Sequence, residues 1–413
     1  MLRSFRVGNY RSFREEHELL LMPLYSNERS VLPVAAIYGA NASGKSNLLD
    51  GLEFMADAVR ESFAAWAPGG GVPRRPFKLD PGRRREPSVF VVELIIADVR
   101  HTYGFEVDDE RVLEEWLYSY PEKRRRVLFE RQGSTIKFGS TVAGSAAITE
   151  LLGGLLRPNA LLLSLAAQSG FEVVLPVFRW FAEDVVFRNE VRTRFNQAAV
   201  ARFLQSERSL AIKLTELLRL ADLGVSGISF HVPKSADELV DDHDLPHVLG
   251  QVANRVRLTH GPQGHAFDLD EESAGTLSWL MLLPQVLLTL RSGGLLAIDE
   301  IDASLHPRLT AALVGLFRDA EANPNGAQLL FTTHDASLLS PVLGDAVLTR
   351  EDVWFVTKDE DGASELYPLT DFKPRKEGEN LERRYLGGSY GGIPDVQAET
   401  LISAVLRGAD GAT

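Results

Sequence analysis

The sequence predicts an α/β fold with a mixed β-sheet, a glycine-rich loop between strand and helix, and an inserted helical lobe, and three observations carry that prediction. First, a short apolar run at residues 31–38 ends at Gly39 and runs through a glycine-rich loop into helical spacing. Second, two compact apolar runs, 294–298 and 327–333, flank the helical stretch 309–323, the strand–helix–strand rhythm of a parallel sheet. Third, between about 148 and 223 the pattern turns Leu-rich and helical, as expected of a lobe inserted between the two halves of such a sheet.

In chain order, residues 31–38 suit a central strand buried on both faces. After Gly44, Leu48, Leu52, Met55, Ala56 and Val59 mark one face of a helix. Residues 66–87, with Pro, Gly and several Arg, read as a loop, and 88–96 and 101–107 read as strands ending in an Asp108-Asp-Glu turn. Leu-rich helical stretches follow at 151–166, 199–205 and 209–223, then an acidic, turn-rich connection at 233–250. The run 277–290 is a buried helix despite Pro284, too short for the roughly 20 residues of a membrane span. The expected division is 1–107, first half of the sheet domain; 108–255, mainly helical insertion; and 256–413, second half and tail.

Composition narrows the function classes. At 413 residues the chain exceeds what one hydrophobic core fills, and 45% hydrophobic with 24% charged residues is ordinary globular composition. The absence of Cys excludes disulfides, thiolate metal sites and a cysteine nucleophile, and fits a reducing cytoplasm. A net charge of −13 disfavours nucleic-acid binding through overall charge. The N-terminus lacks the apolar core of a signal peptide, so a cytoplasmic location without membrane contact is expected.

The chemistry concentrates in four places. Gly39-Ala40-Asn41-Ala42-Ser43-Gly44-Lys45-Ser46 fits G-x-x-x-x-G-K-[ST] between a strand and a helix, where backbone N–H groups, through to Asn47 at the helix start, cradle phosphates. Lys45 neutralises the β and γ oxygens and Ser46 holds Mg²⁺, so ATP and Mg²⁺ are the implied cofactors. Asp299 and Glu300 end the strand at 294–298: Asp299 reaches the metal and Glu300 polarises the attacking water, or the pair is simply a solvated strand end. His334, after Thr333, reads either as a γ-phosphate contact or as a capping residue. Ser273-Ala-Gly275-Thr276 opens the helix at 277–290. It reads as an ordinary N-cap or as a grip, with its free N–H groups, on a γ-phosphate offered by a second subunit.

Taken together, the Gly39 loop, the Ser273–Thr276 turn, Asp299-Glu-Ile-Asp302-Ala-Ser-Leu-His-Pro307 and Thr333-His334 resemble the motif order of ABC-type ATPases, and Asn9-Tyr-Arg-Ser-Phe13 resembles the RecF, SMC and OLD branch. The similarity covers roughly 1–60 and 256–350. Adding Glu379–Leu386 and Gly391–Pro394, the chain most resembles stand-alone, OLD-like AAA-annotated ATPases of bacterial antiphage defence. The resemblance implies an ABC-type P-loop ATPase head in which Lys45, Glu300 and His334 are catalytic and Ser46 and Asp299 bind the metal. It also implies an ATP-sandwiched homodimer or higher oligomer, with Ser273, Gly275 and Thr276 acting on the partner's site, Asp302 near the contact, and Arg11 and Ser12 near the nucleotide.

The signature here is SAGT where transporters carry LSGGQ, and Gln168 is the one glutamine singled out for metal sensing. The insert is too short for an SMC coiled-coil arm. The tail acids Glu377, Glu379 and Glu382 lack the strand and paired aspartates of a nuclease. The resemblance therefore implies a separate effector, a nuclease by the same analogy, controlled by slow ATP hydrolysis and triggered by a phage protein. Arg74-Arg75, Arg83–Arg85 and Lys123–Arg126 read as solvated loop charge or as a DNA site, and a RecF-like DNA-repair ATPase is the alternative function.

Overall fold

Strand β3 (Val34–Tyr38) is buried at every position, which is why it reads as an unbroken apolar run. The computed structural model describes residues 1–25, 29–142, 145–189, 196–221, 224–231, 255–303, 305–340, 347–375, 379–393 and 402–403. Among these, the strands form three sheets. The central one runs Ser364–Pro368 (β16), Val353–Lys358 (β15), β3, Gln328–Thr332 (β14), Leu295–Asp299 (β13) and Val185–Asn189 (β9). All neighbours are parallel except the antiparallel edge strand β16.

The second sheet is an antiparallel set of seven: His17–Leu20 (β2), Leu2–Gly8 (β1), Ser88–Ile96 (β4), Val99–Val107 (β5), Val112–Tyr120 (β6), Arg126–Gln132 (β7) and Thr135–Phe138 (β8). The third comprises Val225–His231 (β10), Arg255–His260 (β11) and His265–Asp268 (β12).

Helix α1 (Lys45–Glu61) lies in the core shared by the two large sheets. Its Leu48, Leu52, Met55, Ala56 and Val59 pack with Phe5, Val7 and Phe90 of the antiparallel sheet and with Ala35 and Ile37 of β3. The alternate residues of β3, Val34, Ala36 and Tyr38, face a second core. That core is closed by α5 (Gln197–Ser206), α6 (Arg208–Leu220), α7 (Ala274–Ser292) and α8 (Pro307–Arg318).

Helix α7 continues through Pro284, a residue that costs about 3 kcal/mol in a helix interior. Its neighbours Leu280, Leu282, Leu283 and Val286 are completely buried, and that burial outweighs the penalty. Helix α8 stops at Arg318 rather than at 323. The Asp319 carboxylate accepts from the N–H groups of Glu321 (2.9 Å) and Ala322 (2.8 Å), starting a turn.

The stretch 108–255 differs from the mainly helical insertion expected. Helices α2 (Ser145–Leu155), α3 (Leu162–Gln168) and α4 (Leu175–Arg179) are present, but β6–β8 complete the antiparallel sheet and β9 joins the central one. The boundary at 108 is a hairpin turn between β5 and β6. The acidic connection expected at 233–250 lies outside the described residues.

The helical part is fastened by a buried charge. Glu115 of β6, 1% exposed, accepts from the N–H groups of Leu162 (2.6 Å) and Leu163 (2.8 Å) at the start of α3 and from the Tyr103 hydroxyl (3.1 Å). Arg131 of β7 lies 3.4 Å from Glu115 and donates to the Ala160 carbonyl at 2.5 Å. Glu115→Ala leaves Arg131 buried without its counter-charge, so unfolding free energy should fall by about 3–5 kcal/mol, measurable as a lower urea midpoint.

Candidate functional site

The P-loop is shaped by what cannot fit elsewhere. A Cβ on Gly39 would lie 2.2 Å from the Val356 carbonyl oxygen, and one on Gly44, at φ +115°, would lie 2.1 Å from Ser364 Oγ and 2.7 Å from Ser12 Oγ. Ala42 adopts φ +61°, so the loop curls tightly onto the start of α1. Lys45 is 5% exposed and its Nζ donates to the carbonyls of Gly39 (2.7 Å) and Ala40 (3.1 Å).

Burial pushes the Lys45 ammonium down to about 8, against the opposing pull of Glu300, Asp299 and Asp302. Phosphate binding needs the cation. Affinity for a nucleotide should therefore be flat below pH about 8 and weaken about tenfold per pH unit above it, because binding must then take up a proton. Titration calorimetry across pH 6.5–9.5 in buffers of differing ionisation enthalpy checks this through the proton uptake.

Behind Lys45, the carboxylate of Asp299, 8% exposed at the end of β13, is gripped from three sides. Ser46 Oγ donates to Oδ1 at 2.9 Å, Thr332 Oγ1 to Oδ1 at 2.7 Å, and Asn189 Nδ2 to Oδ2 at 2.9 Å. A hydroxyl and a carboxylate this close make a hard oxygen donor pair that suits Mg²⁺ completed by phosphate oxygens and water. Asn189 was not foreseen. Gln168 ends α3, where it donates to Ser164 (3.4 Å), and lines neither cavity described here.

Glu300 follows at φ +58°, its N–H donating to Thr332 Oγ1 at 2.7 Å. It opens onto a cleft of about 850 Å³ lined by residues 39–47, Asp302, Ala303 and His334. The N–H of His334 donates to Asp302 (3.2 Å), and burial together with the Lys45 charge holds its imidazole below the usual histidine range. A neutral ring can both accept and donate. Lys358, at the end of β15, and the tail residues Tyr385, Leu386 and Ile393 complete the wall.

The cleft thus gathers Gly39, Asn41, Ala42, Ser43, Gly44, Lys45, Ser46, Asn47, Glu300 and His334, while Asp299 stands behind Ser46. Arg11 and Ser12 do not line this cleft but lie against the P-loop and the Ser46–Asp299 pair. Arg11 pairs with Asp50, which also accepts from the Tyr10 hydroxyl at 2.6 Å, and faces a smaller cavity shared with Ser46, Asn189 and Asp299. Ser12 braces the loop from behind, accepting from Asn47 Nδ2 (2.7 Å) and from Ser364 Oγ (2.7 Å). Asn9 donates to the carbonyls of Arg83 and Glu86, both at 2.8 Å, so much of the Asn9–Phe13 motif is architectural.

Ser273, Gly275 and Thr276 do not line the cleft of their own chain. Ser273 caps α7, accepting from the Thr276 N–H at 3.1 Å, and is exposed. Of the arginine clusters, Arg74 is 7% exposed and bound to Asp109, and Arg83 pairs with Glu15 and Glu86. Arg124, Arg125 and Arg126 instead line an open groove with Lys137.

A glycine loop between parallel strand and helix, an acid pair at the end of the next strand but one, a histidine just past the end of the strand between them and an added antiparallel sheet define an ABC-type P-loop nucleotide-binding head. The chain belongs to the family described as "AAA domain, putative AbiEii toxin, Type IV TA system", whose sequence profile matches residues 34–340.

Among solved structures, the chain is similar to the SMC head domain from Thermotoga maritima, at 14% identity and TM-score 0.42, covering 89% of this chain and 98% of that one. It is also similar to an SMC head bound to the C-winged helix domain of ScpA (13%, TM-score 0.46, covering 90% and 99%). An SMC head with extended coiled coil, bound to the C-terminal domain of ScpA derived from Pyrococcus furiosus, gives 12%, TM-score 0.43 and coverage of 90% and 97%. Among curated proteins, none matches at a significant level. No helix among the described residues is long and apolar enough to cross a membrane.

Proposed function

We propose that this protein binds ATP with Mg²⁺, closes into a head-to-head homodimer on it, and hydrolyses it slowly as a switch on a separate toxic effector in antiphage defence. The observation that carries the ATPase part is the convergence of Lys45, Glu300 and His334 on one cleft, with Ser46 and Asp299 paired behind it. Lys45 and the loop N–H groups hold the phosphates, Glu300 takes a proton from the attacking water, and His334 orients that water or a γ oxygen. Ser46 and Asp299 would hold Mg²⁺, whose charge would help neutralise the phosphates when it is bound. Asn189 keeps the Asp299 carboxylate oriented.

The defence role rests on the toxin–antitoxin description of the family and on the sequence resemblance, and the effector, a nuclease by that analogy, is a separate chain. The dimer reading rests on Ser273 being exposed at a helix N-terminus, away from its own cleft. Ser273→Arg should abolish ATP-induced dimerisation in light scattering while leaving ATP binding by the single chain within about twofold. Loss of binding in the single chain would place Ser273 in its own site and sink the trans reading.

For the effector, tagged protein is purified with the products of adjacent genes, with and without ATP. Recovery of a toxic partner supports the switch. Recovery of the ATPase alone, with DNA raising its turnover, supports instead the DNA-repair reading, which the Arg124–Arg126 groove favours.

A further inference from the structure

The family match ends at residue 340, yet one wall of the nucleotide cleft is built from residues well beyond it. Helix α9 (Leu381–Leu386) and the turn to Ile393 fold back over β15, whose Phe355 stacks on Tyr385 and Tyr390 with ring centroids 5.6 and 5.8 Å apart. Tyr385 also meets Tyr38, the residue before the P-loop, edge-on at 5.3 Å. Its hydroxyl donates to the Gly392 carbonyl at 3.3 Å.

Gly391 and Gly392 take φ +67° and +70°, and a Cβ on Gly392 would sit 3.5 Å from Gly39 Cα. Two consecutive left-handed residues bring the tail against the first P-loop glycine. Beyond this anchor, Leu386 is 61% exposed although it lines a polar phosphate cleft, and Ile393 lines the same wall. Packing of the head does not need Leu386. Leu386 shares the lining of that cleft with the P-loop, Glu300 and His334.

We propose that the segment Leu381–Ile393 is a nucleotide-contacting wall: Leu386 and Ile393 touch the bound nucleotide, and Tyr385, through Tyr38 and the Gly392 turn, positions Gly39 for binding. The proposal rests on the ATP reading given above and adds that the C-terminal segment feels whether the cleft is filled.

The sequence contains no cysteine, so Leu386→Cys is a unique thiol. Its alkylation by a maleimide is timed with and without a non-hydrolysable ATP analogue plus Mg²⁺, against Leu220→Cys, 78% exposed on α6, as control. Both are made in the Ser273→Arg background so that burial between two heads does not imitate the effect. At an analogue concentration ten times its dissociation constant, Leu386→Cys should react about tenfold more slowly and Leu220→Cys unchanged.

Tyr385→Phe keeps the ring and loses the hydroxyl. It should raise the dissociation constant for ATP several-fold by loosening the turn against Gly39, with kcat at saturation unchanged and the melting temperature lowered by only the few degrees one hydrogen bond is worth. Equal alkylation rates while direct binding shows the site filled would overturn the proposal and leave the ATP reading intact. A Tyr385→Phe chain with normal affinity and a lowered melting temperature would overturn the positioning role. Absence of any ATP binding by the unsubstituted chain would overturn the ATP reading and this proposal together.

Discussion

Glu300→Gln should lower ATP turnover by about 10²–10⁴-fold, the range for removing a general base, while MgATP still binds. The strand β13 delivers two acids to different tasks. Asp299 is nine-tenths buried and held by Ser46, Thr332 and Asn189, so it is fixed for the metal. Glu300, turned by its positive φ and by the hydrogen bond from its N–H to Thr332, opens onto the cleft that holds Lys45. The amide of Gln matches the carboxylate in size but takes no proton from water, so the ATP-bound state accumulates. Steady-state phosphate release together with equilibrium binding of ATP measures both halves. A parallel loss of binding would mean that Glu300 holds the nucleotide rather than activating water.

Lys45→Met should weaken ATP binding by about 2–5 kcal/mol, roughly 30- to 5,000-fold, the penalty for removing a buried partner of a charged hydrogen bond. Methionine retains the apolar stem in its buried slot, so the fold survives. The ammonium is lost from the point where the loop carbonyls of Gly39 and Ala40 hold it. Titration of a fluorescent ATP analogue reads the shift, and a matched urea midpoint separates it from unfolding.

The P-loop was legible because its chemistry and its sterics coincide: Gly39 and Gly44 stand where a side chain would strike Val356 or Ser364, so the motif and its strand–helix setting occur together. The central strands β3, β13 and β14 were equally plain, being buried on both faces. Strands β6 and β7 were obscured by the buried Glu115–Arg131 pair, which puts charges at inward positions and breaks the apolar alternation. Strand β9 hid between Leu-rich helical stretches, and with it Asn189, whose role depends on a neighbour 110 residues away. The tail wall had no local signal beyond Gly391-Gly392, since its meaning comes from packing against Gly39.

The most direct measurement is single-turnover hydrolysis of MgATP by the unsubstituted chain beside Glu300→Gln and Lys45→Met, with binding determined on the same samples. Expected are saturable binding and slow phosphate release in the unsubstituted chain, binding without release in Glu300→Gln, and neither in Lys45→Met at moderate ATP. Phosphate release that survives Glu300→Gln undiminished, or ATP binding that is indifferent to Lys45→Met, would contradict a nucleotide switch built on this cleft.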